Sequence, residues 1–137
     1  MRRILEDPRA RIPLMMFGMI ALAAGIHGGL ERIGWCAHAP GPGFAALHGP
    51  LMVCGFLGTL ICTERAVALG SAWAYLAPIN AGVGGLALIL GLGGWIGALL
   101  LTAASVVLVA IFIRVLRIQF HPFAVVMTAG AAAWAIG

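Results

Sequence analysis

The chain has no lysine, one tyrosine and only four acidic residues, Glu6, Asp7, Glu31 and Glu64, in 137 residues. Charged residues make up 9% of it. An ordinary water-soluble domain carries about 25%, so that class is excluded. Three cysteines, Cys36, Cys54 and Cys62, cannot make an even disulfide framework, and with no C-x-x-C-H motif a covalent c-type haem is excluded. There is no phosphate loop, nucleophile elbow or paired-acid site, so nothing supports a soluble-type enzyme. No segment alternates with period two, which argues against a membrane β-barrel.

What is present is apolar. Hydrophobic residues make up 63% of the chain and 20 residues are glycine; the mean hydropathy is +1.10. Charge and Gly/Pro breaks divide the chain into five apolar runs, residues 12–30, 44–63, 72–92, 95–113 and 120–137. Spans of about 20 residues cross a bilayer, so five would use nearly the whole chain. The expectation is one all-α domain, a polytopic transmembrane bundle of five helices whose first partner is the lipid bilayer. Abundant small residues suit helices whose backbones approach closely. The leader, residues 1–11, is interrupted by Glu6, Asp7 and Pro8 and shows no small-residue cleavage site, so the first helix reads as retained. The fifth run closes at Trp134-Ala135-Ile136-Gly137 with no polar tail. Either it barely spans, or the sequence is the amino-terminal part of a longer protein.

A net charge of +4 would suggest nucleic acid on a soluble protein. Here the arginines sit in short breaks between apolar runs and read as topology signals, with no nucleic-acid partner. Arg2, Arg3, Arg9, Arg11, Arg65, Arg114 and Arg117 fall on one side, and Arg32 alone on the other. The positive-inside rule then places the amino terminus in the cytoplasm and residues 31–43 outside, in a bacterial inner membrane. Trp35, Trp73 and Trp95 lie near helix ends, as interface anchors do.

Polar groups inside the apolar runs carry the functional content. His48 lies four residues into the second run, and an imidazole in hydrocarbon requires a hydrogen bond, a metal or a haem iron. One reading makes its face a packing face on which His48 bonds a carbonyl of helix one; the other makes it a ligand. Helical spacing puts Met52, Gly55, Thr59 and Cys62 on its face. His27 is set at a similar depth on helix one and His38 in the outer connection, so topology gathers three histidines near the outer face. A His27–His48 pair would suit haem b. Copper is the alternative, drawing on Cys36, His38, Met52 or Cys62. Arg32 is a candidate contact for a haem propionate through its guanidinium fork; alternatively, the Glu31-Arg32 and Glu64-Arg65 dipeptides are snorkelling pairs at helix ends. His121-Pro122 reads as an interfacial cap on the opposite side.

Leu47-His48-Gly49-x-x-Met52, opening a second helix after a short outer connection, resembles the start of the haem–copper oxidase subunit I superfamily. The run 51–58, with its Gly55-Phe56, is similar to NnrS-type membrane proteins linked to nitric oxide stress. The resemblance covers residues 44–69. It implies that His48 is an axial ligand of a haem in a respiratory or nitric oxide context. Those relatives have more membrane helices than this chain and carry their remaining ligands there, so catalysis by this chain alone is not expected. His27 matches no position of that motif. Two other classes remain open. A structural or assembly subunit of a larger membrane complex, or a homo-oligomer, needs only packing faces. A transporter would need a broken helix, for which Pro78 and Asn80 in the third run are the candidate marks.

Overall fold

A computed structural model describes residues 11–35 and 43–136. Five helices follow one another: α1 (Ile12–Arg32), α2 (Phe44–Leu69), α3 (Ala72–Ile89), α4 (Gly94–Ile118) and α5 (Pro122–Ile136). There is no strand among the described residues. The first four are long and apolar enough to cross a membrane, and the chain is a helical membrane bundle. The fifth has 15 residues, and at about 1.5 Å per residue it reaches only some three quarters of a ~30 Å hydrocarbon core.

Helix ends follow local chemistry. Pro13 opens α1, where its missing N–H costs nothing, and Pro122 opens α5 in the same way. Gly70 ends α2 in the left-handed region at φ 64°, its N–H donating to the carbonyls of Ala66 and Val67. Gly91 and Gly93, both at positive φ, make the tight turn between α3 and α4. Two helices outrun the apolar runs. α2 continues past Thr63 through Glu64-Arg65 to Leu69, and α4 continues past Ile113 through Arg114 and Arg117 to Ile118. A charge at the membrane boundary ends the hydrophobic run without ending the helix, which stops only where glycine or extended backbone intervenes. α3 is shorter than its run, ending at Ile89 where the glycine turn begins.

α3 is not broken. It starts with a 3-10 turn, Ala72–Tyr75, and continues as α-helix from Leu76 to Ile89. Pro78 sits in the first turn of that α-helix, where proline is tolerated. The irregular helix is α2. A 3-10 turn at Phe44–Leu47 leads through His48-Gly49-Pro50 into a seven-residue π-helix, Leu51–Leu57, before regular α-helix resumes at Gly58. Pro50 withholds an N–H from the ladder and presses on the preceding turn, and a widened turn is one way a helix absorbs that.

α3 lies at the centre, packing most extensively on α4 and also against α1 and α2, while α5 packs on α4. Small residues fill the contacts: Ala77, Ala81, Gly82, Gly84, Gly85 and Ala87 are buried on α3. One core cluster joins Cys62 and Ala66 of α2, Ala74 and Ala77 of α3, Leu108, Ile111 and Phe112 of α4, and Ala131 of α5. A second, nearer His48, joins Ala21, Phe44 and Leu51.

Candidate functional site: a histidine seated on a glycine face

α1 presents Gly18, Ala21, Gly25 and Gly28 as a buried stripe at helical spacing. α2 runs antiparallel along it. A Cβ on Gly18 would meet Leu60, one on Gly25 would meet the Met52 sulfur at 2.8 Å, and one on Gly28 would meet the Phe44 carbonyl at 3.1 Å. Gly55 of α2 rests on Ala21. The face expected from His48 through Met52 and Gly55 to Thr59 is therefore the one turned to α1. Cys62 leaves it and joins the core shared with α3 and α4.

His48 lies in this contact. Its Nδ1 is 2.7 Å from the Gly25 carbonyl oxygen. A carbonyl can only accept, so Nδ1 carries the hydrogen and donates it. The neutral ring then holds its lone pair on Nε2. An outward hydrogen bond from one ring nitrogen that leaves the other free to ligate is how proteins orient histidine ligands. The ring also lies over Gly29, where a Cβ would come within 2.8 Å of Nδ1. Two glycines thus make the seat, one offering its carbonyl and the other its missing side chain.

The other expected ligands divide between two sides of α1. His27 is two residues from both Gly25 and Gly29, about 200° around the helix. Its ring lies edge-on to Phe44, with centroids 5.8 Å apart. His48 and His27 are therefore carried on different flanks of the line along which α2 crosses α1. Arg32 falls within about 60° of Gly25, Gly28 and Gly29 around the helix, so it extends the His48 side by one turn. It is exposed at the helix end. Met52 is turned onto Gly25, its sulfur packed against α1. Cys36 and His38, the remaining copper candidates, lie outside the described residues. Among the described residues no three His, Cys, Asp or Glu side chains gather as a metal site. His121 is exposed at the far end and stacks on Phe123.

A second feature was not foreseen. The Trp134 indole N–H of α5 donates to the Cys54 sulfur at 3.2 Å, and its ring lies on Gly58, where a Cβ would meet it at 3.0 Å. Trp134 therefore grips the middle of the π-helix and the residue that follows it. It stands between two clefts, an apolar one of about 280 Å³ against Leu57, Ile61 and Met127, and one of about 370 Å³ against Thr102 and Ser105. Neither the thiol acceptor nor the glycine floor is signalled by local sequence, since the contact joins residues 80 apart.

Searches of curated proteins and of solved structures give no match to the chain. Residues 11–137, which include every helix described above, match the family described as Domain of unknown function (DUF8744), and the chain belongs to that family.

Proposed function

We propose that this membrane bundle binds haem b, with His48 as an axial ligand through Nε2 and Arg32 as a contact for a propionate. The observation that carries the reading is the hydrogen bond from His48 Nδ1 to the Gly25 carbonyl, which fixes the tautomer with its lone pair on Nε2. Arg32, one turn further along the same side of α1, adds a guanidinium at the polar end of that face. A bound haem would supply one-electron transfer or the binding of a diatomic gas. The chain's own part is to hold one imidazole at fixed height and angle, and to surround it with apolar helix. His27, on the other flank of α1, is not placed as the second ligand to the same iron in this reading. The likeness of residues 44–69 to NnrS-type and haem–copper oxidase-like proteins points the same way and suggests a nitric oxide or respiratory setting. The arginine distribution favours a cytoplasmic amino terminus in a bacterial inner membrane.

One observation favours a second reading. The Gly25 bond already satisfies one ring nitrogen and Met52 already fills the groove at Gly25. On that reading His48 is a staple between α1 and α2 in a structural or assembly subunit. Copper bound through Met52 has less support, because its sulfur is packed on α1.

The two readings separate on His48→Gln, whose amide N–H can still donate to the Gly25 carbonyl but which offers no imidazole to iron. With haem supplied to the producing cells, the ligand reading expects haem to co-purify with the wild type and to be lost from His48→Gln, with helix content unchanged. Haem retained in full by His48→Gln, or absent from the folded wild type, would reject it.

A further inference from the structure

α3 carries an amide half way along a helix that crosses the membrane. Asn80 is half-buried and is the ninth residue of the 18 from Ala72 to Ile89. Around the helix it lies with Trp73, Leu76 and Val83, all exposed, and beside exposed Ile79. This stripe faces away from α1, α2 and α4.

The amide is only partly satisfied. Its Nδ2 donates one hydrogen to the Leu76 carbonyl at 2.7 Å. An asparagine has a second N–H and a carbonyl with two lone pairs, and no further bond reaches them from the described residues. The hydroxyls of the spans differ. Thr59, Thr63, Thr102, Ser105 and Thr128 each spend their single hydrogen on a carbonyl of their own helix. Asn80 therefore brings an unspent donor and an unspent acceptor to the lipid-facing surface at mid-depth, where no water replaces the missing partners.

We propose that the Trp73–Leu76–Asn80–Val83 stripe of α3 is the contact face between two copies of this chain, joined by reciprocal Asn80–Asn80 hydrogen bonds. The chemistry selects a second copy. An amide with one free N–H and one free C=O is complementary to itself, and a twofold axis beside α3 brings each Asn80 to its own twin. Leu76, Ile79 and Val83 flank the amide with apolar surface and exclude lipid headgroups and water. The inference is independent of haem binding and rests only on α3 crossing the membrane.

The test is cross-linking of the full chain in native membranes through single introduced cysteines, read above the background of the native cysteines. Leu76→Cys and Val83→Cys, which keep Asn80, should form disulfide-linked dimers on oxidation. Val106→Cys, equally exposed but on α4, should not. In lipid bicelles, Asn80→Leu should weaken dimerisation about tenfold, as expected for losing a pair of interhelical hydrogen bonds. Cross-linking at Val106→Cys equal to that at Leu76→Cys would overturn the proposal. So would a folded Asn80→Leu that dimerises like the wild type, or a wild type that stays monomeric in both settings.

Discussion

The two nitrogens of His48 have different tasks. Nδ1 ties α2 to the Gly25 carbonyl, and the same bond decides that Nε2 is the nitrogen able to take a metal. The presence of a polar ring in an apolar helix was legible in the sequence, and so was its face. A backbone carbonyl of α1 was a legible alternative for its partner, but which carbonyl was not, because the acceptor lies 23 residues away. Backbone acceptors carry no signature in residue type. The pairing of His48 with His27 rests on depth, which topology gives; azimuth is set by about 100° per residue, and His27 lies about 200° around α1 from Gly25. The glycine seat gives a prediction at this scale. Gly29→Leu places a side chain where the His48 ring lies, so Nδ1 loses the Gly25 carbonyl. The imidazole Nδ1–H resonance in a ¹⁵N-labelled sample should lose its hydrogen-bonded shift, and any haem content should fall with it. Gly28→Ala meets the Phe44 backbone carbonyl instead of a mobile side-chain tip. It should cost about 1–3 kcal/mol, an overpacking penalty that a helical Ala gains back only in part, read as a lower unfolding midpoint in detergent.

At the scale of the element, α2 is the unusual member. Its existence and start were legible from the apolar run after Gly43, and its extension to Leu69 follows from good helix formers up to Gly70. The π-helix at Leu51–Leu57 was not legible, since its residues are as compatible with an α-helix and only Pro50 hints at an open turn. A π-turn amounts to one extra residue in the helix. It lets His48, just before it, and Met52, in its first turn, stay on α1 while the segment after it turns Cys62 and Ala66 to α3 and α4. Deleting Val53, exposed within the π-turn, should therefore restore a regular helix and keep both faces, with near-normal melting. Deleting Ile61, in the regular segment, rotates everything beyond it by about 100° and should abolish folding. If both deletions melt alike, the π-turn has no such role. The other unforeseen contact is also an element-scale device, because α5 is short and is held by α4 and by Trp134. Gly58→Val should displace the Trp134 ring and release α5, read as a red-shifted, more quenchable indole emission.

For the whole molecule, the class was the most legible property. An apolar composition with charges confined to the breaks leaves helices that cross a bilayer as the only way to satisfy the backbone. The five helices among the described residues, four of them long enough to cross, follow from this, and the central place of α3 accounts for its high content of alanine and glycine. The spatial order of the helices was not legible, because uniformly small, apolar faces do not identify their neighbours. Orientation can be tested directly. Trp35→Cys and Leu92→Cys should react with a membrane-impermeant thiol reagent from outside intact cells, and Ala72→Cys and Gln119→Cys only after permeabilisation. The reverse pattern would place the amino terminus outside and move His48 to the cytoplasmic half of the membrane.

The central claim is that His48 presents Nε2 to a haem iron. The most direct measurement is the reduced-minus-oxidised absorption spectrum of the purified full chain, taken beside His48→Gln and His27→Ala. The account predicts a b-type difference signal in the wild type, its loss in His48→Gln, and its survival in His27→Ala, because that ring lies on the other flank of α1. A wild type that is folded, haem-supplied and spectrally silent would contradict the account, leaving His48 as the staple between α1 and α2.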